Sequence, residues 1–229
     1  MSFAFAPNGF LNMTTNNETL NWYKNNAASY AAAIENIVSW DQVTEFTSLL
    51  PWQGLILDAG CNGGRDCRVF AKMGYKSIGL DLVRTSLKIA KVKNHSEFIN
   101  ADFFNTPFPD NCFDGLWVHA SIHHLETFND VASVFKEFFR ILKPLGIIHL
   151  ATQAQTSEQK TTIVFDTLAK AERFYRYFTG QELRGLFVNS GFEPIQINQH
   201  KEISDKVNGG RGDVEWLVAL ARKSIAVVE

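Results

Sequence analysis

Residues 55–66 have the sequence LILDAGCNGGRD, an apolar run that leads into a glycine-rich turn, and this stretch decides the fold. The continuously apolar start predicts a strand that is buried on both faces, as strands of parallel sheets are. The turn from Gly60 to Gly64 lets the backbone approach a ligand closely, because glycine has no Cβ. Residues 67–73 then predict a helix that ends at Gly74. A strand, a turn and a helix therefore follow one another here.

The same alternation continues along the chain and predicts an α/β fold. Because strands that alternate with helices form parallel sheets covered on both faces, we expect a seven-stranded, mostly parallel, doubly wound sheet. The expected strands are 54–58, 76–81, 96–102, 113–121, 146–152, 192–200 and 213–223. The expected helices are 67–73, 85–93, 130–142, 158–172 and 179–192.

The N-terminal part of the chain lies outside this alternation. Residues 1–17 are polar and predict a flexible leader, and residues 18–50 predict a helical cap. Thr15 and Glu18 have the spacing of a capping box, and apolar side chains recur at helical spacing through residues 21–38. The remaining residues, 51–229, form the predicted main domain, in which residues 201–212 are expected to be a mobile loop.

The composition limits the possible functions. Hydrophobic residues make up 45% of the 229 residues and the formal net charge is −2, which argues against a protein that mainly grips a nucleic-acid backbone. The three cysteines have no disulfide or metal-ligand spacing, so no metal is expected. No secretory signal or run of about 18 apolar residues is present, and we expect a cytoplasmic protein without membrane spans.

Acidic residues follow two further predicted strands. Asp81 ends the second strand, where a carboxylate can accept both hydroxyls of an adenosine ribose. Asp102 ends the third, and with Phe103 it suits the amino edge and the face of an adenine. A dinucleotide is the rival ligand, but its G-x-G-x-x-G pattern would need glycine where this chain has Asn62 and Arg65. An adenosine-containing ligand other than a dinucleotide is therefore favoured.

The motifs DAGCNGGRD, GLD, NADFFNTPF, FDGLWVHASIHHL and RILKPLGIIHLAT resemble, in order, those of the class I (Rossmann-like) S-adenosylmethionine-dependent methyltransferase family. The resemblance covers about residues 20–223. It is greatest to members that begin with a YxxNAxxY segment, here residues 23–30, and end with a WLxxLARK strand, here residues 216–223. The family usually has glycine where this chain has Asn62, and asparagine can adopt the same positive φ.

The resemblance implies S-adenosyl-L-methionine as cofactor and a role for several residues. Gly60 and its neighbours would pass under the methionine portion, and Arg65 would pair with the cofactor carboxylate unless it is simply solvated. Asp81 would hold the ribose, and Asp102 the adenine amine. The residues expected to contact the cofactor are Tyr23, Asp58, Gly60, Cys61, Gly64, Arg65, Asp81, Leu82, Asp102, Phe103 and His119.

Histidines and tyrosines are the candidates for the acceptor side. His119 and His123 could act as catalytic general bases, or they could cap a helix and pack. Tyr30 and His123 are expected to contact the acceptor, and Tyr23 and Tyr30 could attract the sulfonium by cation–π interaction or simply pack. Trp117 and Trp216 are expected in the core.

Three functions remain open from the sequence. The favoured one is methylation of a small molecule by in-line displacement. The second is methylation of a wobble uridine in tRNA, which the IHHLET segment at residues 122–127 faintly resembles. The third is a non-catalytic domain that binds S-adenosylmethionine for regulation.

Overall fold

The structure is a computed structural model that describes residues 16–166, 171–201 and 214–225. The predicted leader before Asn16 and the predicted mobile loop after Lys201 lie outside the described residues. The helices are α1 (Asn17–Ile34), α2 (Trp40–Ser48), α3 (Arg65–Lys72), α4 (Arg84–Lys93), α5 (Phe128–Ile141) and α6 (Gly180–Asn189). The strands are β1 (Leu55–Ala59), β2 (Lys76–Asp81), β3 (Glu97–Asn100), β4 (Phe113–His119), β5 (Leu142–Gln153), β6 (Thr161–Asp166), β7 (Ala171–Arg176), β8 (Phe192–Lys201) and β9 (Glu215–Lys223).

Seven of these strands form the main sheet, in the order β3-β2-β1-β4-β5-β9-β8. The first five are parallel, whereas β9 pairs antiparallel with both β5 and β8. The chain runs outward from β1 to β3 and then returns to place β4 on the other side of β1. This reversal opens a crevice at the carboxyl ends of β1 and β4, where open α/β sheets bind ligands. The predicted seven-stranded, mostly parallel α/β fold is confirmed.

The helices cover both faces of the sheet. One face packs on α5 and α6 through a core that includes Phe135, Phe138 and Phe187. The other packs on α2 and α3 through a second core that includes Phe46 and Phe70. Both faces of the central strands are therefore buried, which explains their continuously apolar sequences.

The described part of the region predicted to be a helical cap contains two helices, α1 and α2. The helix α1 ends at Ile34 and is interrupted at Asn26, whose φ is −117°. The predicted capping box is wrong, because the side chain of Asn16 accepts the amide hydrogen of Thr19 and caps the helix itself. The helix α2, which the sequence did not separate, packs into the second core through Val43 and Phe46.

The prediction of a helix over residues 158–172 is wrong, because this region contains β6 and β7, which pair as an antiparallel hairpin. Helix-forming residues 167–172, TLAKAE, favoured the helix, but the run TTIVF at residues 161–165 is rich in β-branched and aromatic side chains. In β7, the side chains of Arg173 and Tyr175 are each 1% exposed. Tertiary burial of one face of β7 therefore overrides the helical propensity.

We expect Phe46→Ala to lower the free energy of unfolding by about 3–5 kcal/mol, the usual cost of emptying a buried phenylalanine site. The Phe46 ring is fully buried, with its centroid 5.4 Å from that of Trp117. Urea denaturation would measure the loss. Leu49→Ala, at a position of the same helix region that is 39% exposed, should cost under about 1 kcal/mol. Equal costs would mean that α2 does not belong to the core.

Candidate active site

The turn after β1 is shaped by a glycine with positive φ. Gly60 has a φ of +88°, and a Cβ on it would lie 2.6 Å from the Cβ of Ser121, which follows β4. The amides of Gly60 and Cys61 both donate to the carbonyl oxygen of Leu80 in β2. Asn62 has a φ of +47°, as expected of an asparagine in place of glycine. The turn therefore joins the ends of three neighbouring strands.

Asp81 holds this turn and also faces the cavity beside it. Its two carboxylate oxygens accept the amide hydrogens of Asn62 at 2.9 Å and Val83 at 2.8 Å. Burial raises the pKa of the Asp81 carboxyl, although these two hydrogen bonds act in the opposite direction. A carboxylate can accept about four hydrogen bonds. The Asp81 carboxylate can therefore still accept hydrogen bonds from the hydroxyls of a ligand.

Asp102 and Phe103 line the same cavity next to Asp81. Asp102 accepts the amide hydrogen of Phe104 at 3.1 Å, and burial raises the pKa of its carboxyl. The Phe103 ring packs edge-on against Phe138, with 5.8 Å between the ring centroids. The expected carboxylate and aromatic ring are thus brought together at the end of β3.

Arg65 is engaged by its neighbour in the chain. Its Nε and Nη2 atoms donate to the two carboxylate oxygens of Asp66 at 2.7 and 2.8 Å. Burial alone would raise the pKa of Asp66, but the Arg65 guanidinium and a hydrogen bond from Trp117 help to lower it to about 2. Arg65 lines the cavity, and within the described residues its Nη1 atom has no hydrogen-bond partner. That nitrogen is the one available to an anionic ligand.

Three predicted cofactor residues occupy different positions around the turn. Cys61 lines the cavity, and burial raises the pKa of its thiol, so that the thiol stays protonated. Asp58 is buried behind the turn, where it accepts a hydrogen bond from the thiol of Cys67. Gly64 has a φ of +73° and begins α3, and a Cβ on it would lie 2.9 Å from Phe98. Asp58 and Gly64 therefore shape the turn without lining the cavity.

The candidate histidines also differ in position. His119 lines the cavity at the end of β4, and burial lowers its pKa to about 4. His123 is 1% exposed and does not line the cavity, whereas His124 does. His124 donates through Nδ1 to the carbonyl of Phe174, so its Nε2 atom is the acceptor for the Tyr23 hydroxyl 3.2 Å away. His124, which the sequence did not single out, has the position expected of His123.

The aromatic residues of α1 surround a cation of this chain. The Arg173 guanidinium lies 5.2–5.5 Å from the ring centroids of Trp22, Tyr23, Tyr30 and Tyr175, and it donates to the Tyr23 hydroxyl. Cation–π attraction therefore joins α1 to β7. Tyr23 and Tyr30 also line the cavity.

The lining residues named above surround one cavity of about 320 Å³, a size typical of small-molecule sites. Residues of α1 and of the link to α2 form one wall, and the carboxyl ends of β1, β2 and β4 form the opposite one. Sequence analysis missed several lining residues or assigned them to the core: Asn62, Asp66, His124, Gln42, His200 and Trp216. Asp66 could have been found, since it adjoins Arg65 in the turn. Trp117, by contrast, is 1% exposed and belongs to the core, as expected.

Within residues 16–166, 171–201 and 214–225, no three His, Cys, Asp or Glu side chains converge as metal ligands would. In the same part of the chain, no helix is long and apolar enough to cross a membrane.

Known proteins that are similar to this chain are methyltransferases. Residues 57–150 match the sequence model of the methyltransferase domain. The Bacillus subtilis methyltransferase YqeM is 33% identical over 128 residues, covering 52% of this chain and 52% of that protein. The Arabidopsis thaliana tRNA (carboxymethyluridine(34)-5-O)-methyltransferase is 30% identical over 124 residues, covering 54% of this chain and 30% of that protein. The chain thus spans about half the length of the first relative and under a third of the second.

A solved structure extends the comparison of the fold over nearly the whole chain. The Burkholderia thailandensis 1,6-didemethyltoxoflavin-N1-methyltransferase, solved with 1,6-didemethyltoxoflavin and S-adenosylhomocysteine bound, has a TM-score of 0.66. The match covers 96% of this chain and 94% of that one, at 19% identity.

We expect His119 to destabilise the protein in acid. The pKa of His119 is about 4 in the folded state and about 6.5 in the unfolded state. Between these pH values the unfolded state binds one more proton than the folded state. The free energy of unfolding therefore decreases as the pH falls from about 6.5 to about 4. As the pH falls through this interval, the free energy of unfolding of His119→Gln should increase by about 1–3 kcal/mol relative to that of the wild type. Urea denaturation at several pH values would measure the difference. His95→Gln, at an exposed position, is the control. Parallel curves for His119→Gln and wild type would contradict the assigned pKa.

Proposed function

We propose that this chain, as a member of the class I (Rossmann-like) S-adenosylmethionine-dependent methyltransferase family, transfers a methyl group from S-adenosylmethionine to a small organic molecule. The observation that carries this proposal is the convergence of the Gly60 turn, Asp81 and Asp102 on one cavity. Each follows a different strand of the sheet, and together they offer groups for the three parts of the cofactor.

In the proposed complex, the adenosine lies between β2 and β3. Asp81 accepts the ribose hydroxyls with the capacity that its two backbone hydrogen bonds leave. Asp102 accepts the adenine amine, and Leu82 and Phe103 contact the adenine ring. These four residues all line the cavity.

The methionine portion lies over the turn in this proposal. The backbone at Gly60 and Cys61 approaches it closely, because no Cβ is present on Gly60. Arg65 binds the carboxylate through Nη1 while Asp66 keeps the guanidinium oriented. Asp58 and Gly64 contribute by fixing the turn.

The bound cofactor supplies a methyl group already activated on a sulfonium, so the protein mainly aligns the acceptor and excludes water. His119 is neutral near pH 7, and a conjugate acid with a pKa of about 4 makes it a weak general base. His123 lies outside the cavity wall. We therefore assign His119 to positioning of the acceptor rather than to proton abstraction.

A small acceptor is favoured over tRNA by the charge of the site. The cavity wall, over the described residues, carries one arginine against three aspartates, and that arginine is paired. A protein that binds a nucleic acid neutralises its phosphates with lysine and arginine side chains. The similarity to the Arabidopsis tRNA methyltransferase keeps tRNA as the second candidate, and a non-catalytic role is the third.

The helix α1 is the proposed lid of this site. Leu20, Tyr23, Tyr30 and Ile34 extend from it into the cavity wall, so its position decides whether water reaches the cavity. Lids are drawn from elements that open more easily than the sheet. The helix α2 contributes Val43 and Phe46 to the second core, whereas α1 contributes no residue to it. We therefore propose that α2 stays fixed.

S-adenosylhomocysteine should bind and raise the melting temperature, and NAD should not. Asp81→Ala should weaken S-adenosylhomocysteine binding by about 10- to 150-fold, the loss of hydrogen bonds to a charged group. Asp81→Asn, which keeps one acceptor oxygen, should lose less. Isothermal titration calorimetry measures each affinity, with Asp41→Asn on the exposed surface of α2 as the control. Binding of NAD alone, or an unchanged affinity in Asp81→Ala, would refute the cofactor assignment.

Hydrogen exchange tests the lid. Bound S-adenosylhomocysteine should slow amide exchange in residues 22–37, because closure of α1 suppresses its local opening. Exchange in residues 40–48 should change less, which makes α2 the internal reference. Equal exchange of residues 22–37 in both states would make α1 a fixed brace.

A further inference from the structure

The cavity is divided into a charged side and an uncharged side. Its charged side chains, Arg65, Asp66, Asp81 and Asp102, follow β1, β2 and β3. The opposite side lies where β4, β5 and β9 face the link between α1 and α2. We call it the β5 side, and its wall includes Ile37, Ser39, Gln42, His119, Ala151 and Trp216. The described residues of this wall also include His200, but no lysine, arginine, aspartate or glutamate.

Gln42 is held in one orientation by a buried histidine. The Nε2 atom of His149 lies 3.1 Å from Oε1 of Gln42, and Nδ1 of His149 is buried with no hydrogen-bond partner within the described residues. A proton on Nδ1 would leave a buried donor unsatisfied, so the proton belongs on Nε2, which donates to Gln42. Burial lowers the pKa of His149 well below its ordinary value, and the ring is neutral. The Gln42 amide group is left with its NH₂ as a donor for the cavity.

Parallel aromatic rings form the floor of the β5 side. His149 stacks on Trp117 at 3.8 Å, His119 on Trp117 at 5.3 Å, and Trp216 lies 6.3 Å from His119, with angles of 5–18° between the ring planes. His119 and Trp216 line the cavity. Neither ring nitrogen of His119 has a hydrogen-bond partner within the described residues, and Nδ1 is buried. This floor suits a flat ring, which can continue the stack.

We propose that Gln42 selects the methyl acceptor: an uncharged, planar ring compound whose carbonyl oxygen or ring nitrogen accepts a hydrogen bond from the Gln42 amide. This inference rests on the proposed function, since it assigns the β5 side to the acceptor. A charged acceptor would lose hydration against a wall that offers no opposite charge. His149 is a positioning residue, because it acts through the orientation of Gln42.

The experiment uses ligand-observed NMR titration of the protein saturated with S-adenosylhomocysteine. The probe is 2-quinolone, which is flat, neutral and carries a carbonyl. Three comparison probes test these features: octahydro-2(1H)-quinolinone is not flat, quinoline-2-carboxylate is an anion, and N-methylquinolinium is a cation that also has no hydrogen-bond acceptor. We expect 2-quinolone to bind about tenfold more tightly than each of them, given the value of aromatic stacking together with one hydrogen bond.

Variants separate the roles of the two residues. Gln42→Met should weaken 2-quinolone binding by about three- to tenfold, the effect of one neutral hydrogen bond, while Thr44→Ala, exposed on the same helix, should not. His149→Phe should weaken 2-quinolone binding in the wild-type background. It should have no further effect in the Gln42→Met background, because the effects of two substitutions on one interaction are not additive. A purely structural role of His149 would weaken binding in both backgrounds.

The outcomes distinguish this inference from the proposed function. If S-adenosylhomocysteine binds but 2-quinolone binds no better than the comparison probes, or is insensitive to Gln42→Met, the assignment of Gln42 is wrong and the cofactor site stands. If S-adenosylhomocysteine itself does not bind, the proposed function fails first.

Discussion

The contact between the turn after β1 and the ends of β2 and β4 is the constraint on which the site depends. Two consecutive amides, those of Gly60 and Cys61, donate to the same carbonyl of Leu80, and Asp81 accepts a third from Asn62. Ser121 packs where any Cβ on Gly60 would lie. Because three strands are tied at one point, the backbone, Asp81 and the end of β4 hold fixed positions before any ligand binds. This is pre-organisation, and it lowers the entropic cost of binding.

A second connection runs from this turn to the β5 side. Asp66 accepts two hydrogen bonds from Arg65 and one from the indole of Trp117, which stacks on His149 and His119. The negative charge of Asp66 is therefore paired at the turn by Arg65. Since a buried charge is stable only when paired, this pairing allows the proposed cofactor site, which is charged, to adjoin the proposed acceptor site, which is not.

The sequence predicted those parts of the molecule that depend on local patterns. The buried strands were predicted because strands of parallel sheets are continuously apolar. Gly60, Asp81 and Asp102 were predicted to lie near one another because the carboxyl ends of such strands meet at one edge of the sheet. The hairpin β6–β7 was missed, since burial of Arg173 against the rings of α1, and of Tyr175 beside His123 and His124, outweighs helical propensity. The position of Gln42 could not be predicted, because its partner His149 lies 107 residues away in the chain. His124 replaced His123 for a similar reason: which of two adjacent histidines faces the cavity depends on the 3₁₀ helix Ile122–His124.

The same hairpin bears on how a lid could move. Three rings of α1 surround the Arg173 guanidinium, and the hydroxyl of Thr19 accepts the amide hydrogen of Phe174, so α1 and β7 share both cation–π and backbone contacts. A desolvated cation–π pair is worth about 2 kcal/mol or more, and a lid that left Arg173 behind would lose several such pairs at once. Tyr175, on the same strand, would remain beside the arginine in either case. The contacts therefore favour movement of α1 together with the hairpin over movement of α1 alone, and an element that the sequence mistook for a helix becomes part of the proposed lid.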